Sequence, residues 1–327
     1  MSPSEARDPG ESAVRRRVAR VIVLGLEYAW RMGELHLRRT LPRRRHWVAM
    51  RVFRLFGRSF PVTVSHPNPL RHDGRPLALC LDLCQNHELY VRSRGRYEIE
   101  WIRLVAAGMD DAELFVDVGA NIGVYALTVA QAHPARRVIA VEPMPDNLEK
   151  LRRAVALNGL ENVTVMPGVV AAGGGRVSFH VNPLSDGGGS LVAFGAYQTG
   201  DVVRDAATYQ AAHPSFVPTL EVDTVSLDTL ITTRSVLKVD VEGAEEAVLK
   251  SGERALAKGL VDLMVVEVQK DTFAPVVRFL DGLDFDCFLY GRRRPVRPED
   301  SGELPYRVGN LLVLRRHSRA HEHVDFQ

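Results

Sequence analysis

The segment best suited to chemistry is a glycine turn that directly follows an apolar run. Residues 115–123 have the sequence FVDVGANIG, which places Gly119, Asn121 and Gly123 at alternate positions. A buried strand, a glycine turn and then a helix form the site at which doubly wound α/β sheets bind nucleotides. The residue types therefore predict a site for a cofactor that contains a nucleoside.

The turn has the pattern G-x-N-x-G, not the G-x-G-x-x-G of dinucleotide-binding proteins. In that fingerprint the second glycine lets the backbone approach a pyrophosphate. Here Asn121 occupies the middle position, and asparagine tolerates left-handed backbone geometry. Asp117 would also add negative charge where a pyrophosphate should lie. These features disfavour a nicotinamide cofactor and an oxidoreductase.

A second acidic residue, Glu142, ends the next apolar run, 23 residues after Gly119. A carboxylate in this place holds the two ribose hydroxyls of a nucleotide. Asp117 would suit the cationic amino-acid end of S-adenosylmethionine. Together the two acids predict S-adenosylmethionine as the cofactor. The alternative is that they only cap the helices beginning near Ile122 and Asp146.

A third group of polar residues closes the fourth predicted strand. Side chains two apart on a strand share a face, so Lys238, Asp240 and Glu242 are expected to point together. Methyl transfer from a sulfonium requires an aligned acceptor and removal of its proton. We therefore predict that Asp240 lies near the cofactor and that Asp240 or Glu242 is the base.

Three carboxylates at this edge, those of Asp240, Glu242 and Glu267, could hold Mg²⁺. We expect instead that no metal binds and that Glu242 is a hydrogen-bonded structural carboxylate. His180 and His213 are alternative bases, although single histidines are more often surface or packed residues.

The elements that position these residues alternate between strand and helix, which predicts a doubly wound α/β sheet. The predicted parallel strands are Leu114–Val118, Arg137–Val141, Val163–Met166, Val236–Val241 and Leu263–Val268. The predicted helices are Val124–Ala132, Asn147–Asn158 and Ala244–Leu249. Residues 285–290 and 311–314 predict a closing antiparallel hairpin, whose arginine-rich turn, Arg292 to Arg294, is expected to be solvated.

The sequence divides into three predicted regions. Residues 1–60 form a basic helical extension, with 14 arginines against 5 acidic residues, and residues 61–97 form a short β-rich lead-in segment. Residues 98–327 form the Rossmann-like domain, with an insertion at about 182–218 that could close over a substrate. We expect the basic helices to pack against the main domain or to mediate homo-oligomer formation. A membrane-surface or nucleic-acid contact is the alternative.

Composition sets the compartment that we expect. The three cysteines, Cys80, Cys84 and Cys287, are too few for a disulfide framework, which is consistent with a reducing cytoplasm. The longest uncharged apolar run near the start, residues 21–26, is far shorter than the roughly 20 residues of a membrane-spanning helix. We therefore predict a cytoplasmic protein without a transmembrane segment and without a nucleic-acid partner.

Several motifs in this order resemble the FkbM family of S-adenosylmethionine-dependent methyltransferases. They are FVDVGANIG at 115–123, VIAVEP at 138–143, LNGLENV at 157–163 and LKVDVEGAE at 237–245, preceded by GRYE at 95–98. The resemblance covers about residues 77–316 and implies a class I methyltransferase sheet. The glycines at 173–175 depart from the acidic turn common in the family after the third strand.

The resemblance also implies roles for individual residues. The methionine part of the cofactor would be lined by Asp117, Gly119, Asn121 and Gly123. Glu142 would bind the ribose, and the backbone near Gly168 and Val169 would flank the adenine. Apart from the resemblance, Glu98 could close the site from the N-terminal side.

The family typically methylates hydroxyl oxygens of secondary metabolites, sugars and related polar molecules. The function that we expect is therefore O-methylation of a small polar acceptor, as in antibiotic biosynthesis. N-methylation of an amino sugar is the alternative. A nucleic-acid methyltransferase and a non-catalytic protein that binds the cofactor are weaker candidates.

Overall fold

The computed structural model describes residues 61–82, 98–181, 219–304 and 308–324, with short stretches at 189–191, 197–199 and 202–204 and single residues at 85, 88, 91 and 306. Contacts group residues 63–80 with 95–327 in one unit, and residues 1–62 with 81–94 in another. The fold given below is that of the first of these units. The predicted helices of residues 1–60 lie outside the described residues, so their proposed roles remain predictions.

The central element is a seven-stranded sheet of order β14-β15-β13-β12-β3-β4-β5. Five strands are parallel: β3 (Leu114–Val118), β4 (Arg137–Glu142), β5 (Val163–Pro167), β12 (Ser235–Val239) and β13 (Val261–Gln269). The other two are β14 (Phe285–Leu289) and β15 (Val308–Arg315), and β15 pairs antiparallel with both neighbours. The doubly wound α/β sheet expected from the sequence is confirmed.

The order of the strands creates a switch point between β3 and β12. From β3 the chain continues outward to β4 and β5, and from β12 it continues in the opposite direction to β13. Every residue of β3 and of β12 is buried, because helices cover both faces of a parallel sheet. Ligands of doubly wound sheets bind beyond the carboxyl ends of the strands at such a point. The glycine turn and Asp240 both lie there.

The two strands predicted as a closing hairpin, β14 and β15, pair antiparallel as expected. The structure also shows their order in the sheet. β15 lies between β13 and β14, so the chain passes β13 and returns to fill the gap. The segment of chain that connects β14 to β15 contains a 3₁₀ helix, Pro298–Glu303. Arg292 and Arg294 form ion pairs with Glu303 of this helix.

The described residues contain seven α-helices: α1 (Ile99–Gly108), α2 (Val124–Ala132), α3 (Pro145–Asn158), α4 (Leu227–Leu230), α5 (Glu245–Lys250), α6 (Glu253–Ala257) and α7 (Lys270–Asp281). A second 3₁₀ helix covers Arg319–His323. In the part of the chain that the structure describes, no helix has the length and apolar character needed to cross a membrane.

Two long helices, α1 and α7, were not predicted. The signal for α7 is present, since its buried residues Phe273, Val276, Val277 and Leu280 recur at helical spacing. Pro275 interrupts that pattern, and proline normally disfavours a helix interior. The helix nevertheless forms because its apolar face is buried.

A smaller sheet of order β6-β11-β7-β8 follows β5. Its strands are β6 (Val169–Val170), β7 (Gly175–Val181), β8 (Gly189–Ser190) and β11 (Thr219–Val225). β7 and β11 were not predicted, although both alternate polar and apolar residues. Within the predicted insertion the structure describes β8 and the antiparallel pair β9 (Tyr197–Thr199) and β10 (Val202–Arg204). The rest of 182–218 lies outside the described residues.

Two asparagines of the segment 157–163 fix neighbouring elements through their side chains. Asn158 Nδ2 donates to the carbonyl oxygen of Ala78 at 2.8 Å, and Asn158 Oδ1 accepts from the Ala78 N–H at 2.8 Å. Ala78 belongs to β2 (Leu77–Asp82), which forms a two-stranded sheet with β1 (Pro61–His66). Asn162 Nδ2 donates to three carbonyl oxygens, one in the last turn of α2 and two in the segment that leads to β4. Asn158 and Asn162 therefore have structural roles, because their side chains hold neighbouring elements together.

Gly119 is predicted to be intolerant of any side chain. It has φ +75°, and a Cβ there would lie 1.9 Å from the carbonyl oxygen of Asp240. Gly119→Ala should therefore lower the free energy of unfolding by about 2–4 kcal/mol, from backbone strain and overpacking. Denaturant unfolding measures this loss. Gly174→Ala is the matched control, because a Cβ at Gly174 meets no atom within 4 Å. Equal stability of the two variants would contradict the described turn.

Candidate functional site

The glycine turn between β3 and α2 is tied to the end of β4. The N–H groups of Gly119 and Ala120 both donate to the carbonyl oxygen of Val141, each at 3.0 Å. Asn121 adopts φ +53°, the left-handed geometry that its residue type permits. Its N–H donates to Glu142 Oε2 at 2.8 Å. The turn and Glu142 therefore form one hydrogen-bonded unit.

Glu142 is buried and receives further bonds from α3. Its Oε1 accepts from the Met144 N–H at 2.9 Å and from Asn147 Nδ2 at 3.3 Å. Burial raises the pKa of Glu142 to about 7, against the opposing effect of these hydrogen bonds. The carboxylate is thus held rigidly at the end of β4, where a ribose-binding group would be required.

Asp117 is buried more deeply, with only 1% of its surface exposed. Its Oδ2 accepts from the N–H of Ala126 at 3.1 Å, in the first turn of α2, and its Oδ1 lies 3.7 Å from Lys238 Nζ. Burial raises its pKa, which Lys238 opposes. Asp117 therefore accepts from an N–H in the first turn of α2, and Glu142 accepts from N–H groups that precede α2 and α3.

Lys238, on β12, lies near carboxylates on both sides of the switch point, Asp117 on β3 and Asp240 after β12. Its Nζ donates to Asp240 Oδ2 at 3.0 Å and lies 5.0 Å from the centre of the Tyr125 ring. The Tyr125 hydroxyl donates to Glu98 Oε2 at 2.6 Å. Glu98 precedes α1 and has φ +45°, so a strained backbone presents its side chain to this cluster.

Asp240 and Glu242 were expected at the end of a strand, which the structure corrects. β12 ends at Val239, so both residues lie in the loop that follows it. Lys238 and Asp240 do meet, but Glu242 has φ +52° and its Oε2 accepts from Gln269 Nε2 at 3.4 Å. The left-handed turn redirects Glu242 toward the start of α7. Displacement of water and the charges of Asp240 and Glu245 raise its pKa.

Glu267 is the third carboxylate of this edge and lies on β13. Burial raises its pKa to about 9, and the charges of Asp240 and Glu98 act in the same direction. At neutral pH the side chain is therefore protonated. No three His, Cys, Asp or Glu side chains within the described ranges are arranged to hold a metal ion.

The sequence of this chain matches a known family of enzymes. The profile of the family described as "Methyltransferase FkbM domain" matches residues 117–287, more than half of the chain. The chain belongs to the FkbM methyltransferase family. It is an S-adenosylmethionine-dependent methyltransferase, as the motifs predicted.

Two proteins with similar sequences are also named as methyltransferases. The chain is 24% identical to "Methyltransferase 1" of Beauveria bassiana, over 63% of this chain and 88% of that one. It is 27% identical to "Hexuronic acid methyltransferase AglP" of Haloferax volcanii, over 54% of this chain and 63% of that one. The chain thus spans less than two thirds of the latter relative.

Solved structures show only a distant likeness. One is M. jannaschii TYW2 in complex with AdoMet, 13% identical to the FkbM-family chain with a TM-score of 0.36. The match covers 72% of this chain and 80% of that one. A likeness at this level supports no conclusion about function.

The polar atoms at the switch point suit S-adenosylmethionine. Asp117 Oδ1 and Asn121 Oδ1 are buried hydrogen-bond acceptors that have no hydrogen-bond partner within the described residues. A buried acceptor without a donor is costly, so such atoms indicate a missing partner. The cofactor carries an ammonium group, ribose hydroxyls and a positive sulfur. These hydrogen-bond donors and this positive charge complement the acceptor oxygens of Asp117 and Asn121.

The adenine-binding prediction concerned the backbone at Gly168 and Val169, and it remains a prediction. Both residues follow β5 at the carboxyl edge, but a Cβ at Gly168 would lie 2.5 Å from the carbonyl oxygen of Asp223. The Val169 side chain packs with Phe179 and Val222 in the smaller sheet. The structure therefore gives both residues a packing role as well.

Of the two histidines considered as bases, the structure describes one. His180 lies on β7 of the smaller sheet, paired with Ser190 and Thr219, and His213 falls outside the described residues. Sequence reasoning missed Tyr125. Its signal was an aromatic hydroxyl in the first turn of the helix that follows the glycine turn.

Glu267 gives a pH-dependent prediction. Between its ordinary pKa of 4.5 and about 9, the folded chain holds a proton that the unfolded chain releases. Raising pH through this window therefore favours the unfolded state. Glutamine does not titrate, so Glu267→Gln removes this loss of stability. The variant should therefore become more stable relative to the wild type as pH rises from 5 to 9. Urea unfolding at several pH values measures the difference.

Glu149→Gln is the matched control, because Glu149 is exposed on α3. It should follow the wild-type pH dependence. If Glu267→Gln also does so, Glu267 is not buried and protonated as described.

Proposed function

We propose that this enzyme transfers a methyl group from S-adenosylmethionine to a hydroxyl oxygen of a small polar acceptor, such as a sugar or a glycosylated natural product. The observation that carries the proposal is the pair of carboxylates Asp240 and Glu242, which lie in one loop beside the glycine turn. A hydroxyl acceptor must lose its proton, and a carboxylate at the reacting edge can take it.

The proposed cofactor site follows the backbone turn and the strand ends. Asp117, Gly119, Asn121 and Gly123 would line the methionine part, and Glu142 would bind the ribose. The backbone at Gly168 and Val169 would flank the adenine, and Asp240 would approach the sulfur. The unpartnered oxygens of Asp117 and Asn121 and the rigid seating of Glu142 support this arrangement.

The bound cofactor supplies a methyl group on a positively charged sulfur. Glu242 is the proposed base, because it is exposed to an incoming acceptor and its raised pKa makes it a better proton acceptor. One carboxylate oxygen of Asp240 already accepts a hydrogen bond from Lys238, so we assign Asp240 to contact with the cofactor and not to proton removal. Glu267, protonated at neutral pH, is available as a hydrogen-bond donor.

The acceptor class is supported by one relative and by the charge of the edge. The archaeal relative is named a hexuronic acid methyltransferase, which gives a precedent for a sugar acceptor. N-methylation of an amino sugar is the second candidate. The carboxyl groups of Glu98, Asp240 and Glu242 would attract an ammonium group, which is the observation that favours it.

The decisive experiment uses S-adenosylmethionine with an isotopically labelled methyl group. The enzyme is incubated separately with neutral glycosides, uronic acids, amino sugars, RNA and DNA, and the labelled product is located by NMR. Label on oxygen is the expected result. Label found on nitrogen alone would replace the proposal with the second candidate, and label in RNA or DNA would overturn both.

The two carboxylates should differ in their effects on the rate. We expect Glu242→Gln to lower kcat by about 10²–10⁴-fold through loss of the base, and Asp240→Asn to lower it substantially as well. Steady-state kinetics with the identified acceptor measures both. Glu253→Gln, an exposed change on α6, is the control. Near-normal turnover of Glu242→Gln would remove Glu242 from the mechanism, and the same result for Asp240→Asn would remove Asp240.

A further inference from the structure

Among the described residues, Lys238 is the only lysine or arginine that is buried. It lies on the central strand β12, with 6% of its side chain exposed. Burying a charged group is costly unless other charges and hydrogen bonds compensate for it. The question is which of its neighbours the ammonium group serves.

Two carboxylates compete for this ammonium group. Asp117 is buried and would benefit most from a counter-ion, yet its Oδ1 lies 3.7 Å from Lys238 Nζ. Asp240 is 30% exposed in its side chain and could be solvated by water, yet it receives the direct bond at 3.0 Å. The hydrogen bond is therefore directed at the carboxylate that needs neutralisation less.

The surroundings of Asp240 explain what this bond does. Its backbone is fixed on both sides: its N–H donates to the carbonyl oxygen of Val118 at 3.1 Å, and its own carbonyl oxygen packs against Gly119. The side chain extends from the loop that follows β12. The bond from Lys238 restrains it.

We propose that Lys238 is a positioning residue, which holds the Asp240 carboxylate in the orientation needed to face the positive sulfur of the cofactor. This inference rests on the proposed place of Asp240 beside the cofactor. Burial disfavours the charge of Lys238, but Asp240, Asp117 and Glu98 raise its pKa above the ordinary value, so the ammonium persists. The face of the Tyr125 ring contributes a cation–π contact at 5.0 Å.

The test compares two ligands and needs no acceptor. S-adenosylmethionine carries a positive sulfur, and S-adenosylhomocysteine lacks both the methyl group and that charge. The ratio of their affinities, measured by calorimetry, therefore reports the negative charge placed near the sulfur. If Lys238 acted only through its charge, Lys238→Met would favour the cationic ligand and raise the ratio. If Lys238 positions Asp240, the variant should lower the preference for S-adenosylmethionine by about tenfold.

A double-mutant cycle identifies the route of the effect. Asp240→Asn alone should lower the same ratio, and adding Lys238→Met to it should cause no further fall. Two independent, additive losses would overturn the proposal, as would a raised or unchanged ratio in Lys238→Met. If Asp240→Asn itself leaves the ratio unchanged, the proposed place of Asp240 fails together with the inference. A normal fall in Asp240→Asn with none in Lys238→Met overturns the inference alone.

Loss of Lys238 leaves Asp117 buried beside no counter-ion, so the single variant risks unfolding. Asp117→Asn/Lys238→Met avoids this, because asparagine keeps an oxygen that can accept from the Ala126 N–H. Compared with Asp117→Asn, this double variant should melt normally yet show the same tenfold fall in ratio. If the ratio matches that of Asp117→Asn, Lys238 serves only to neutralise Asp117 and the proposal is wrong. Lys250→Met, which removes an exposed lysine paired with Glu246, is the matched control and should change neither property.

Discussion

The close approach of Gly119 to the carbonyl oxygen of Asp240 is the constraint on which the site depends. It joins the turn after β3 to the loop after β12, the two strands between which the sheet changes direction. Without a side chain at Gly119 the two loops can touch, and the Asp240 N–H can bond to Val118. One backbone contact therefore brings the proposed cofactor turn and the proposed catalytic carboxylates to the same edge. The absence of a side chain at Gly119 therefore makes room for the Asp240 carbonyl oxygen and not for a phosphate group.

Electrostatics then decides what this edge can bind. The carboxyl groups of Asp117, Glu142, Asp240 and Glu267 gather around the single ammonium group of Lys238. Burial keeps Glu267 protonated and raises the pKa of Glu142 to about 7. Such an environment disfavours a pyrophosphate and suits a ligand that brings its own positive charge, which agrees with membership of a methyltransferase family.

The parts of the structure that the sequence predicted well share a physical reason. The buried parallel strands are continuous apolar runs, so β3 was predicted to the residue, and the glycine turn has a residue pattern of its own. The misses have reasons as well. Pro275 interrupts the helical spacing of α7. In β7 and β11 polar residues alternate with apolar ones, so neither strand is a continuous apolar run like those of the parallel sheet. The approach of Lys238 to Asp240, two residues further on, was expected from the strand spacing. The left-handed backbone at Glu242, whose side chain contacts Gln269 on a distant segment, is not encoded in local patterns.

The most direct test of this account is a crystal structure of the enzyme with S-adenosylhomocysteine. We expect the ligand at the carboxyl ends of β3 and β4, with its ribose on Glu142, its amino-acid end along the glycine turn and its sulfur facing Asp240. A ligand bound elsewhere, or bound in this cleft with its sulfur turned away from Asp240, would contradict the proposed site and the role given to Lys238.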